Sequence, residues 1–108
     1  MKVYVAGPYT HGDVIRNIRN AVLAGQEILE GGHTPFIPHM NYVWHFLCPG
    51  TTTQWYDWDN EWLKLCDAVI RLPGYSRGSD LEVELAHKEG IPVYDSVKQF
   101  LTTKGRNP

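Results

Sequence analysis

A doubly wound α/β fold is what this chain of 108 residues predicts. Three observations carry that expectation. Short apolar runs alternate with helical spacings, glycine or proline closes most of them, and polar residues collect just after the apolar runs. The order β-α-β-α-β-α-β-α implies a parallel sheet with helices on both faces, because parallel strands need crossover connections. With 43% hydrophobic residues, the length suits one domain over 1–108 with a single core.

Val3 to Ala6 reads as the first strand, ended by Gly7-Pro8. Asp13 then offers an N-cap to a helix that places Val14, Ile18, Ala21, Val22, Gly25, Ile28 and Leu29 on one face, and Gly31-Gly32 stops it. Thr34 to Ile37 gives a second strand bounded by Pro38. An irregular aromatic segment from His39 to about Gln54 follows, with Tyr42, Trp44, Phe46 and Trp55 in or beside it. A loop this long in a small domain is usually functional or disordered, and its aromatic content argues against disorder. A helix over about Asp57 to Leu65 sets Trp58, Trp62 and Leu65 on one face. The third strand runs from Asp67 to Leu72, and a helix ending near Glu89 and Gly90 follows it. Ile91 to Tyr94 supplies a fourth strand, and Ser96 caps a last helix through Leu101.

A formal charge of −2, from 10 basic and 12 acidic residues, provides no basic stripe, so nucleic acid and anionic membrane are not the expected partners. The apolar run at the N-terminus is too short for a signal peptide, and no later run approaches a membrane span, so the expected compartment is the cytoplasm. Cys48 and Cys66 are then expected to be free or packed thiols. His45-x-x-Cys48, near His39, matches no established zinc pattern, and no metal is expected. The phosphate lysine motif and the dinucleotide glycine motif are both missing, so kinase and dehydrogenase readings lose their main support.

In open parallel sheets ligands bind beyond the carboxyl ends of the strands, where strand order reverses. The loops after the first three strands, Gly7 to Gly12, Pro38-His39 and Pro73 to Ser79, should therefore open on one crevice. The third is the most informative. Ser76-Arg77-Gly78-Ser79-Asp80-Leu81-Glu82 joins a buried strand to a helix, and free backbone N–H groups at a helix start suit a phosphate or a sugar oxygen. The same residues also spell a capping box, Ser79-x-x-Glu82, in which each would only satisfy the other's backbone. Asp59 at the start of the aromatic helix could bring a second carboxylate to the crevice, or could simply favour the helix dipole. A carboxylate pair serves glycoside chemistry: one group attacks or stabilises the anomeric carbon while another acid handles the departing group, and a separation of about 5 Å favours the covalent route.

Four segments in order carry a resemblance: Val5-Ala6-Gly7-Pro8-Tyr9, Gly32-His33-Thr34-Pro35-Phe36-Ile37-Pro38-His39, Asp59-Asn60-Glu61-Trp62-Leu63, and Ser76-x-Gly78-x-x-x-Glu82-x-x-x-Ala86. The chain resembles the nucleoside 2-deoxyribosyltransferase-like superfamily, including its 2'-deoxynucleoside 5'-phosphate N-hydrolase branch, from Val3 to Tyr94. That resemblance implies a flavodoxin-like Rossmannoid three-layer sandwich with a mostly parallel sheet of four to five strands, and cleavage or transfer of an N-glycosidic bond without a cofactor. Glu82 falls at the nucleophile position, and Asp59 at that of the second acid, which orients the nucleophile and assists at the base. Ser76 and Gly78 match the loop holding the 5' end of the substrate, and Gly7 with Tyr9 the loop beneath the sugar. His39 would line the crevice or cap a strand end.

Departures from the pattern matter too. Many relatives carry glycine where this chain has Asp80 and Glu84, which sets an extra negative charge beside any phosphate. Thr10-His11-Gly12 stands where monophosphate hydrolases place arginine, leaving Arg77 as the loop cation. The expected ligand is thus a nucleoside or nucleotide, and the competing reading is a non-catalytic nucleotide-binding or sensor domain. The tryptophans Trp44, Trp55, Trp58 and Trp62 either stack a base or pack core and interface. Their number in so small a chain also suggests a homo-oligomer.

Overall fold

The computed structural model describes residues 1–104, and these form a four-stranded, all-parallel sheet flanked by five α-helices. The elements in chain order are β1 (Lys2–Ala6), α1 (Val14–Glu30), β2 (Thr34–Phe36), a 3-10 turn (Pro38–Met40), α2 (Asn41–Leu47), α3 (Thr52–Leu63), β3 (Ala68–Arg71), α4 (Arg77–Lys88), β4 (Val93–Tyr94) and α5 (Val97–Lys104). The strand order is β2-β1-β3-β4. The chain builds outward from β1 to β2, then crosses to the other side for β3 and β4, so the order reverses between β1 and β3. Register there pairs Tyr4 with Val69 and Ala6 with Arg71.

Strand alternation sorts side chains to opposite faces. Val3, Val5, Ala68 and Ile70 pack with Ala21, Ala24, Ile28, Val97 and Phe100 from α1 and α5. Tyr4, Ala6 and Val69 pack with Leu63, Cys66, Ala86 and Ile91 on the other side. Asp13 caps α1 as expected, accepting from the Arg16 amide at 3.1 Å. Gly25 lets α1 pack closely just past the end of β2, since a Cβ there would lie 2.2 Å from Ile37 Cδ1 and force that side chain to shift. Ser96 caps α5, accepting from the Gln99 amide at 3.0 Å.

Several boundaries differ from the sequence reading. The segment from His39 to Gln54 is not irregular: it holds the 3-10 turn, α2 and the start of α3. The missed signal is Thr51-x-x-Gln54, a capping box in which Thr51 Oγ1 accepts from the Gln54 amide and Gln54 Oε1 accepts from the Thr51 amide. α3 therefore starts at Thr52 rather than near Asp57, and Leu65 lies exposed beyond its end. β4 is shorter than expected because Pro92 has no N–H to give a ladder, although its carbonyl accepts from the Val69 amide. Leu29, placed on the core face of α1 by its spacing, is exposed. Val43, Phe46 and Leu47 on α2 are exposed as well.

Candidate functional site

A cleft of about 800 Å³ opens at the carboxyl ends of β1 and β3. The seven residues singled out from sequence, Gly7, Tyr9, His39, Asp59, Ser76, Gly78 and Glu82, all line it. The loops after the first three strands do converge, and α3 closes one wall.

Glu82 sits on the face of α4 that also carries Ser79 and Ala86 into the interior, by i, i+3 and i+4 spacing. It is 7% exposed. The Tyr4 hydroxyl donates to Glu82 Oε2 from the centre of β1, where Tyr4 itself is fully buried. This pairing overturns the capping-box reading. Ser76 is the N-cap of α4 and accepts from the Ser79 amide at 3.1 Å, so the helix starts three residues earlier than Ser79 would have it. Burial pushes the Glu82 carboxyl up to about 7. The Tyr4 hydrogen bond opposes that rise, the nearby Asp59 charge adds to it, and Arg71 pulls back. Burial and the Glu82 charge in turn hold the Tyr4 phenol well above its ordinary value, so Tyr4 stays a donor.

Asp59 lies in the middle of α3, not in its first turn, so the dipole explanation does not apply. Its Oδ1 accepts from Asn41 Nδ2 at 3.2 Å, across from the start of α2. Burial raises this carboxyl to about 7 as well, against the lowering effect of Asn41. Burial thus raises two carboxyl groups that line one cleft toward neutrality.

His39 is 4% exposed, and its Nε2–H donates to the Pro8 carbonyl at 3.0 Å. The carbonyl can only accept, so Nδ1 carries the lone pair, and that buried atom has no hydrogen-bond partner among the described residues. Burial lowers its pKa against the raising effect of the Pro8 and Gly7 backbone. Tyr9 meets His39 edge-on at 5.8 Å between ring centres, so both hold the β1 loop against the 3-10 turn. Gly7 allows β1 to pass close to Leu72, whose Cβ would lie 3.1 Å from an added Cβ. At Gly78 an added Cβ meets nothing within 4 Å, so open space rather than packing surrounds that residue.

Tyr4, Asn41 and Arg71 were absent from the sequence reading of the site. Tyr4 was legible in principle, because a tyrosine inside a short buried strand needs a partner for its hydroxyl. Arg71 was legible for a similar reason, as a cation ending an apolar strand on the same face as Val69. Its Nη2 donates to Asp80 Oδ1 at 3.1 Å and to the Gly74 carbonyl at 3.0 Å. The extra negative charge in the loop is thereby paired, and Arg77 lines the cleft beside it. Asn41 was not legible, since only the fold of α2 brings it to Asp59. His45 Nδ1 accepts from the Trp55 indole and the Gly50 amide, while Cys48 is exposed. Among the described residues no three His, Cys, Asp or Glu side chains are grouped to hold a metal ion, and no helix is long and apolar enough to cross a membrane.

Comparison with known proteins places the chain by family and by fold. Residues 1–96 match the family described as "Domain of unknown function (DUF7768)", and the chain belongs to that family. Among solved structures it is similar to the 2-deoxyribosyltransferase of the psychrotolerant bacterium Bacillus psychrosaccharolyticus, described as a biocatalyst for nucleoside synthesis. The TM-score is 0.66 at 23% identity, over 86% of this chain and 69% of that one. The shared feature is the flavodoxin-like α/β fold. No curated protein matches the sequence.

Proposed function

We infer that this member of the DUF7768 family cleaves or transfers the N-glycosidic bond of a nucleoside or nucleoside 5'-monophosphate, with Glu82 as nucleophile. The observation that carries the reading is the pair of carboxyls on one cleft, Glu82 buried and Asp59 partly buried, each raised to about 7, with Glu82 held by a tyrosine hydroxyl. Ionised Glu82 attacks the anomeric carbon, forming a C–O bond as the C–N bond breaks, and the electron pair leaves with the base. Protonated Asp59 gives its proton to the departing nitrogen, directly or through water. Water or an incoming base then attacks the same carbon and returns a proton to Asp59, and Glu82 is released as carboxylate. Tyr4 orients the Glu82 oxygens and steadies their charge, so it acts as a positioning residue. Ser76 and Gly78, at the start of α4, face the 5' side of the substrate, and Gly7 with Tyr9 supports the sugar. The similarity in fold to a 2-deoxyribosyltransferase supports the substrate class.

The test is release of free base, followed by chromatography, from a panel of nucleosides and their 5'-monophosphates. The wild type is expected to release base from at least one, and Glu82→Gln to lose that activity by about a thousandfold or more. Should wild type and variant bind nucleotides but leave every glycosidic bond intact, the chain is a nucleotide-binding domain instead.

A further inference from the structure

His45 carries a donor that the proposed chemistry leaves unused. It lies in the last turn of α2, half-buried, and lines the cleft. Its Nδ1 accepts from Trp55 Nε1 at 2.8 Å and from the Gly50 amide at 3.1 Å. Both groups can only donate, so the lone pair sits on Nδ1 and the ring proton on Nε2. The joint is closely built. A Cβ at Gly50 would fall 3.0 Å from Gln54 Oε1 and 3.1 Å from the Trp55 indole nitrogen, so any larger residue would press on the groups that hold the imidazole. Nε2–H has no hydrogen-bond partner among the described residues and is not among their buried unpaired atoms. One donor of fixed tautomer is therefore left free at the cleft.

We propose that His45 reads the base: its Nε2–H donates to a carbonyl oxygen on the edge of the heterocycle remote from the glycosidic nitrogen, selecting 4-keto pyrimidines or 6-keto purines over their amino counterparts. The inference rests on reading the cleft as an N-glycosidic site. Asp59 then marks where the leaving nitrogen lies. Trp55 is four residues earlier on the same face of α3, about one turn or ~5.4 Å along the axis, comparable to the width of a base. His45 is bonded to that indole, so its free N–H belongs at the far edge of a base whose near edge meets Asp59. An amino group at that edge would set donor against donor and leave the imidazole N–H unpaired.

Deoxyuridine against deoxycytidine, and deoxyinosine against deoxyadenosine, differ at that edge and so provide the test. The wild type is expected to favour the keto member of each pair by about tenfold or more in kcat/KM. His45→Asn keeps an oxygen that can accept from Trp55 and Gly50 but lacks a donor at the Nε2 position, and it should erase the preference. An unaltered keto preference in His45→Asn, or none in the wild type, overturns the proposal. Binding of the same pairs to Glu82→Gln protein, followed by calorimetry and by the 15N resonance of His45 Nε2, needs no turnover and covers a His45→Asn chain that fails to fold. A Nε2 shift with keto ligands alone supports the base reading even if the wild type releases no base, and that wild-type inactivity would reject only the glycosidic chemistry. Base release together with an Nε2 resonance indifferent to keto or amino ligand rejects the base reading and leaves the chemistry standing.

Discussion

The two faces of the sheet are cut from the same strands and differ in what they bury. One face, lined by Val3, Val5, Ala68 and Ile70 against α1 and α5, is almost wholly apolar. The other begins the same way, with Ala6 and Val69 against Leu63 and Ala86, but it also buries Tyr4 and gives way to Glu82 at the cleft. The first face is an ordinary source of stability by removal of apolar area from water. The second holds a carboxyl whose ionised form is disfavoured by burial, so it works against the stability supplied by the first.

That contrast can be broken from either side, and the largest effect is expected on the apolar face. Ile28, fully buried between α1 and the sheet, should cost about 4 kcal/mol when replaced by Ala. Urea unfolding measures it, and a loss below about 1 kcal/mol would show that this face collapses around the cavity and is not the rigid layer described.

Next comes a stabilising effect from the other face. The folded-state Glu82 carboxyl is raised from 4.5 to about 7, so its favourable contribution is fully present below pH 4.5 and disappears as pH rises through 7. Glu82→Gln has no such proton to lose. At pH 8 it should be more stable than the wild type by about 3 kcal/mol, with the difference vanishing near pH 4. Parallel denaturation curves across that range would decide it. A wild type whose stability rises from pH 4.5 to 8 relative to the variant would contradict the burial of this carboxyl.

The smallest effect tests the join between the faces. Tyr4→Phe keeps the ring in the core and removes only the hydroxyl that lowers the Glu82 pKa. Activity at pH 7 should fall about tenfold, and the acid limb of the pH–rate profile should move to higher pH, since more base is needed to ionise Glu82. A limb that stays in place would reduce Tyr4 to a packing residue.

Much of this was legible in the residues. Period-2 and period-3.6 spacings, with Gly7-Pro8, Gly31-Gly32 and Pro38 as stops, specify the strand and helix alternation, because local backbone preferences and apolar spacing need no distant partner. The convergence of the first three βα loops followed from the topology rule alone. The helix within the aromatic segment was also signalled, by the Thr51 and Gln54 capping pair, although its aromatic residues show no clear helical spacing. Ser76 was recognised at the loop while its role as N-cap was given to Ser79, because both serines precede helix-forming residues and only the backbone angles distinguish them.

The sequence by itself determined the class of fold, the edge of the sheet where the cleft opens, and the residue types offered there, including Glu82 and Asp59. Only the tertiary structure decided which partner each would meet. Tyr4 is 78 residues from Glu82, Asn41 is 18 from Asp59, and Arg71 pairs with Asp80 across a turn. The physical reason is range. Helix and strand preferences act over a few residues, whereas burial and hydrogen bonds, which raise a carboxyl or fix a histidine tautomer, depend on groups brought together only when the chain is packed.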